Sequence, residues 1–370
     1  MITYLSIYIY LSIISLSEIK LSENTKKEYF ILLYIFLLLF ISGRHYVGGD
    51  YIAYLILFNE AKVNVLNTNI EKLSTLNYII TFIHTIGLNY LFFNFICGLF
   101  FVTGIFKFLK ISNERLFIFI LLIPTMIYVV GMGYTRQSVS IGFLCFAIYY
   151  WSENMNVKKN IFFILAVSFH ISSLIFIFLL FFKSNQKIKF TRLFLLIILT
   201  TSFLYLFYYL YYNNLDNLSS SMGLDYIIVK NSPLKYLKFL AHIVPCAIFL
   251  IFIKIFSKDK KIFPLYFFSL VTIIAVIITM IIFKQLVEQS GYVDVIADRI
   301  LLPFILIEAL IFVRLCSLIK LEYRFLFKLI TLFYFGLMLF VWLQFADNSH
   351  AWKPYRSIFL ESYNKDFNEL

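Results

Sequence analysis

The sequence predicts an all-α integral membrane protein, a polytopic bundle of about ten crossings interrupted by broken or re-entrant helices. Three observations predict it. The 370 residues are 62% hydrophobic, with a mean hydropathy of +0.88 and only 14% charged residues, against roughly a quarter charged in soluble domains. Runs such as 29–42, 116–130 and 263–283 carry no charge and are bounded by Lys and Arg, which is the hydropathy signature of spans. These runs are continuously apolar, whereas a transmembrane barrel alternates.

In chain order, the expected crossings are 2–16, 29–42, 90–106, 116–131, 137–151, 193–212, 236–256, 262–284, 299–319 and 325–345. The first is expected to be retained, because no basic segment precedes it and no small-residue cleavage site follows. Loop charge fixes the orientation. Placing 17–28, 107–115, 152–160, 183–192, 254–261 and 314–328 in the cytoplasm puts 20 of the 32 Lys and Arg inside with 7 of the 20 acids. The outside segments are then net acidic, as the positive-inside rule requires. The formal charge of +12 therefore reads as topology rather than as a nucleic-acid surface.

The same parity makes 161–182 a segment that enters and returns from one side. Each arm of about ten residues is roughly 15 Å, half a bilayer. The bend is expected at Ser168 to Ser173, the polar cluster of that run. By the same reasoning, 73–88 is a re-entrant or surface helix. No internal repeat or low-complexity linker is visible, so 1–370 reads as one transmembrane domain with outside segments 43–75, 213–235, 285–298 and 346–370. Cys97, Cys145, Cys246 and Cys316 sit in apolar runs without CxxC spacing and read as small core hydrophobes.

Ionisable residues in membrane segments are functional candidates, and here they converge on the outer face. Arg44 follows the second span, Arg136 opens an inward-running helix, and Arg299 follows Asp298 at the head of another. His170 sits at the bend, where a half-helix begins with Ser172 and Ser173. Helix N-termini present free N–H groups and the positive end of the dipole. Guanidinium adds bidentate recognition of phosphate. Together they suit a diphosphate carried on a lipid at the outer leaflet. Plainer readings stand beside this one: arginines as topology anchors, His170 as a hydrogen-bonded core histidine, Gly48-Gly49 as a turn, and Asp50 as the N-cap of the next helix. Glu308, an acid inside a span, has no role legible in the sequence, being too far along the helix from Arg299 to pair with it. His45, His84, His242 and His350 show no ligand spacing. There is no GxxxxGK phosphate loop, no HExxH and no Asp-x-Asp pair to hold a metal with a sugar diphosphate. Any glycosyl transfer here would be expected to be metal-free, and no cofactor is expected.

At these residues the chain resembles the EpsG-like branch of the Wzy polysaccharide polymerases. The ordered motifs are Gly43, Arg44, Gly48, Asp50 and Tyr54; Tyr134, Arg136 and Gln137; Phe169, His170 and Ser172; Asp298 and Arg299; and the ending Trp352-Lys353-Pro354-Tyr355. The second glycine of Gly48-Gly49 loosens the first motif by one position. The resemblance implies a helical bundle related to the C-type glycosyltransferases and O-antigen ligases, in the bacterial cytoplasmic membrane with its site facing outward. It implies polymerisation of undecaprenyl-pyrophosphate-linked oligosaccharide repeat units, with a flippase and a chain-length regulator as partners of the same pathway. Under that reading Arg44, Arg136 and Arg299 hold the diphosphate. Gln137, Tyr54 and Ser172 line the substrate, and His170 or Asp50 orients or deprotonates the acceptor hydroxyl. A flippase for lipid-linked sugars is a rival reading, but would need a two-sided pathway and often carries internal repeats. A ligase-type transferase shares the donor site and differs in acceptor.

Overall fold

The computed structural model describes residues 1–17, 22–60, 75–185, 234–286 and 297–359, together with 198, 201, 202 and 205. The described residues are helical apart from loops and one isolated antiparallel bridge, Arg44 with Ser357. Three helices among them are long and apolar enough to cross a membrane: Tyr90–Ile111, Ala297–Leu318 and Leu321–Phe345. Ile2–Leu16, Arg115–Gly131 and Phe263–Thr279 are apolar but shorter. The span expected over 193–212 lies largely outside the described residues, as do the outside segments 213–235 and 285–298. All four cysteines are buried, as expected of small core side chains.

The chain divides into two compact units. The first comprises Met1–Tyr150, Met155–Ser173 and Lys320–Leu370. Its helices are α1 (Ile2–Leu16), α2 (Glu23–Ser42), α3 (Tyr51–Glu60), α4 (Thr75–Thr85), α5 (Tyr90–Phe108), α6 (Arg115–Gly131), α7 (Thr135–Ser152) and α8 (Asn156–Phe169). The long helix Leu321–Phe345, labelled α14 below, closes it. Local sequence sets several of the starts. Ser22 Oγ accepts from the Thr25 amide to open α2, and Asn89 Oδ1 accepts from the Phe92 amide to open α5.

Small residues and polar bonds do the packing, as expected where lipid removes the hydrophobic drive between helices. A Cβ on Gly104 would stand 2.1 Å from the Gly142 carbonyl oxygen, so α5 and α7 touch backbone to backbone. Tyr34 bonds Thr103 at 2.9 Å between α2 and α5. The Tyr8 hydroxyl donates to the Leu332 carbonyl at 2.7 Å, tying α1 to α14. The second half of α6, Ile123–Gly131, is wound as a π-helix with Pro124 in its first turn. It delivers the chain to Met132-Gly133-Tyr134, beside the loop that follows α2.

The segment expected to turn back does break. α8 ends at Phe169, His170 is extended (φ −150°, ψ 122°), and a 3₁₀ stretch Ile171–Ile177 leads to the short α9, Phe178–Phe181. The Trp151 indole donates to the Phe182 carbonyl at 2.7 Å, and the Ser184 hydroxyl lies 3.5 Å from the Ser152 carbonyl. α4 has 11 described residues, Thr75–Thr85, about 16 Å of helix.

The second unit is Trp151–Asn154 and Leu174–Ile319. It contains α9, α10 (Leu234–Ile251, with Pro245 inside), α11 (Ile253–Phe256), α12 (Phe263–Leu286) and α13 (Ala297–Leu318). Phe176 stacks on Phe304 at 4.8 Å in its core.

Candidate functional site

The first unit assembles most of the expected site residues at one end of α7. Arg44 is its buried hub, with 2% of its surface exposed. The last carbonyls of a helix lack intrahelical partners and favour a cation. Arg44 Nη1 donates to the Ile41 carbonyl at 2.7 Å, in the last turn of α2. Nη2 lies 3.4 Å from both Asn94 Oδ1 and Thr135 Oγ1. The Tyr51 ring centroid is 6.0 Å from the guanidinium. Arg44 thus joins α2, α3, α5 and the start of α7, and most of its donors are spent within the fold.

The backbone after Arg44 is held by the chain's own ending. His45 N donates to the Arg356 carbonyl at 3.1 Å, Ile358 N to Gly43 at 2.9 Å, and Gly48 N to Ala351 at 2.8 Å. Trp352 is fully buried against Gly133, where an added Cβ would meet the indole at 2.0 Å. A closed ring of bonds holds it. Trp352 Nε1 donates to the Tyr128 carbonyl, the Tyr128 hydroxyl to Tyr4, and the Tyr4 hydroxyl back to Trp352, at 2.8, 3.1 and 2.8 Å. Tyr355 stacks on Phe40 at 4.4 Å, and its hydroxyl donates to the Phe40 carbonyl. Burial pushes the Tyr355 phenol up to about 12, so it stays a neutral donor.

Gly48 has φ +106°, and a Cβ there would stand 2.0 Å from the Met132 carbonyl oxygen. Glycine is required on both counts. Gly48→Ala is expected to destabilise the protein by more than about 1 kcal/mol, read as a lower thermal midpoint in detergent. Two residues on, Asp50 N donates to the Gly133 carbonyl at 3.0 Å, and the Asp50 carbonyl accepts from Tyr54 N at 3.0 Å. Asp50 therefore occupies the cap position of α3, half-buried, with its backbone tied three residues upstream of Arg136. Tyr54 is buried one turn into α3 and faces Phe93.

At the head of α7, Thr135 and Gln137 are buried while Arg136 between them is exposed. Arg136 makes no hydrogen bond or ion pair among the described residues. Its guanidinium stands at a helix N-terminus, where unsatisfied N–H groups and the dipole favour an anion. One turn further along the same face, Ser140 Oγ donates to the Ala166 carbonyl at 2.6 Å and bonds Ser173 Oγ at 2.7 Å. Ser140 thereby pins the bend that carries His170. Thr75 of α4 holds it from the other side, donating to the Ser168 carbonyl at 2.8 Å.

His170 Nδ1 lies 2.7 Å from Ser172 Oγ and accepts the Ser172 backbone N–H at 3.2 Å. A backbone N–H can only donate, so Nδ1 is the acceptor and the neutral ring carries its proton on Nε2. The ring is thereby set to donate a hydrogen bond through Nε2. Ser172 is the residue that fixes this tautomer.

Arg299 belongs to the second unit, in the first turn of α13 and half-buried. That unit also explains Glu308. His242 Nδ1 and Glu308 Oε1 are 2.6 Å apart, both buried, joining α10 to α13. Local sequence pattern pairs neither residue, since they are 66 positions apart. Asn94, Thr135, Tyr128 and the inward fold of Trp352 were missed for the same reason. A lone polar residue inside an apolar run, as at Asn94, was the one available signal.

These features define a helical membrane protein with an anion-suited arginine at a helix head and a histidine-bearing helix break held beside the same helix. A sequence profile of the EpsG family matches residues 27–357, and the chain belongs to that family. Membership points to a polysaccharide-polymerase-type membrane protein. Comparison with curated proteins and with solved structures returned no match.

Proposed function

We propose that this EpsG-family protein polymerises undecaprenyl-pyrophosphate-linked oligosaccharide repeat units on the outer face of the bacterial cytoplasmic membrane, without a metal. The observation that carries the proposal is Arg136: an exposed guanidinium at a helix N-terminus, one turn from the serine that pins the His170 bend. In the reaction, the bond from the anomeric carbon to the diphosphate oxygen breaks and undecaprenyl pyrophosphate leaves with the electron pair. A hydroxyl of the incoming unit forms the new glycosidic bond and gives up its proton.

Arg136 binds the diphosphate and stabilises the charge that grows on it as the bond breaks. His170, donating through Nε2, orients a sugar oxygen. With Nδ1 already accepting from the backbone, the base falls to the Asp50 carboxylate. Arg44 acts as a positioning residue, since its donors hold α2, α5 and α7 together and its guanidinium meets the Tyr51 ring of α3. Gln137 and Tyr54 back the site from within the helix packing. Arg299 is expected to serve the donor diphosphate as well, and its variant is tested separately.

The test uses purified full-length protein in proteoliposomes with lipid-linked repeat units, with and without a chelator. Chain elongation with release of undecaprenyl pyrophosphate, unchanged by the chelator, is the expected result. Transfer of units across the bilayer without elongation would mean a flippase instead, and loss of elongation on chelation would remove the metal-free mechanism. His170→Gln is expected to keep part of the elongation rate, since an amide N–H also donates, whereas Asp50→Asn is expected to lose it. The reverse order would return the base role to His170.

A further inference from the structure

We propose a second binding site at the opposite end of the first unit, where Lys107 and Lys158 take the phosphate of an anionic phospholipid from the cytoplasmic leaflet. Lys107 Nζ lies 4.3 Å from the Tyr149 ring centroid and 5.2 Å from that of Tyr150. Lys158 Nζ lies 5.5 Å from the Tyr150 ring. Two ammonium groups from α5 and α8 thus gather around one ring at the end of α7. Neither makes an ion pair or hydrogen bond among the described residues. The acids nearest them in sequence are engaged elsewhere, Glu114 by Lys328 at 3.0 Å and Glu153 by Lys261 at 2.9 Å. Cation–π contact offsets only part of the repulsion between the two charges, and among the described residues no carboxylate pairs with either.

The surroundings favour a lipid as the source of that anion. The cluster stands in the Lys-rich loops that the positive-inside rule assigns to the cytoplasm, the leaflet side where anionic headgroups recruit basic residues. It is fourteen residues along α7 from Arg136, about 21 Å, and so separate from the outward site. Beside it, Phe162 lies near-parallel to both Tyr150 (5.5 Å, 19°) and Phe146 (4.6 Å, 14°), which are 6.5 Å apart. All three rings are half-exposed, making a flat apolar stripe for an acyl chain to lie along. Single lysines at helix ends commonly snorkel to the interface. Two converging on one ring above such a stripe, with no carboxylate paired to them among the described residues, make a headgroup-and-chain site.

Native mass spectrometry of the full-length protein in detergent, with phosphatidylglycerol, phosphatidylcholine and inorganic phosphate as probes, tests this. Phosphatidylglycerol is expected to be retained at least tenfold better than phosphatidylcholine of the same chains. Lys107→Gln and Lys158→Gln, which keep the apolar stem, are each expected to weaken that retention about fivefold, while Lys26→Gln leaves it unchanged. Equal retention of the two lipids overturns the proposal without any variant being needed. So does full retention by the two glutamine variants, or displacement of the lipid by equimolar inorganic phosphate.

Discussion

Replacing Arg136 by alanine is expected to slow chain elongation by about a hundredfold or more while abundance and thermal midpoint stay at wild-type values. The two halves of that expectation have separate causes. The fold does not use the side chain, which is exposed and makes no hydrogen bond or ion pair among the described residues. The reaction does use it, if the guanidinium meets charge that develops only as the diphosphate leaves; removing one such group typically costs this much in rate. Arg136→Lys is expected to fall between, since an ammonium keeps the charge but loses the planar fork. Arg44→Ala gives the contrasting pattern, losing stability and activity together. It uncaps the Ile41 carbonyl and strands the buried polar groups of Asn94 and Thr135.

Glu308→Ala or His242→Ala is expected to destabilise the protein by about 3–5 kcal/mol, because each removes one side of a buried 2.6 Å contact. Joint replacement by apolar residues of similar volume is expected to recover most of that loss. The measurement is a double-mutant cycle on unfolding in detergent, where a large coupling term signals a direct pair. Near-additive single effects would mean that the 2.6 Å contact contributes little. The result concerns the second unit alone and leaves the Arg136 prediction intact.

What the sequence could say about these sites followed from local pattern. The break at His170 was legible because Ser168, His170, Ser172 and Ser173 interrupt an otherwise apolar run, and loop charge required that run to return. Arg136 was legible because loop charge assigns the head of its helix to the outer face, where an arginine runs against the positive-inside bias. The employment of Arg44 was not legible. Its partners Asn94 and Thr135 lie 50 and 91 residues away, and no local period links them. Glu308 looked roleless for the same reason, as its partner sits on a helix 66 residues upstream. The ending around Trp352 was recognisable as a motif, yet its burial beneath Tyr4 and Tyr128 depends on contacts spanning most of the chain. The tautomer of His170 needed the coordinates of a single backbone N–H, which residue type alone does not provide.

The most direct measurement is the repeat-unit ladder of surface glycan from cells lacking this gene, complemented with wild type, Arg136→Ala, Arg299→Ala or His170→Ala at matched expression. The account predicts single capped units in the deletion strain, a full ladder with wild type, and loss of the ladder with the two arginine variants. A deletion strain in which not even one unit reaches the outer face, or an Arg136→Ala strain with an undiminished ladder, would contradict it.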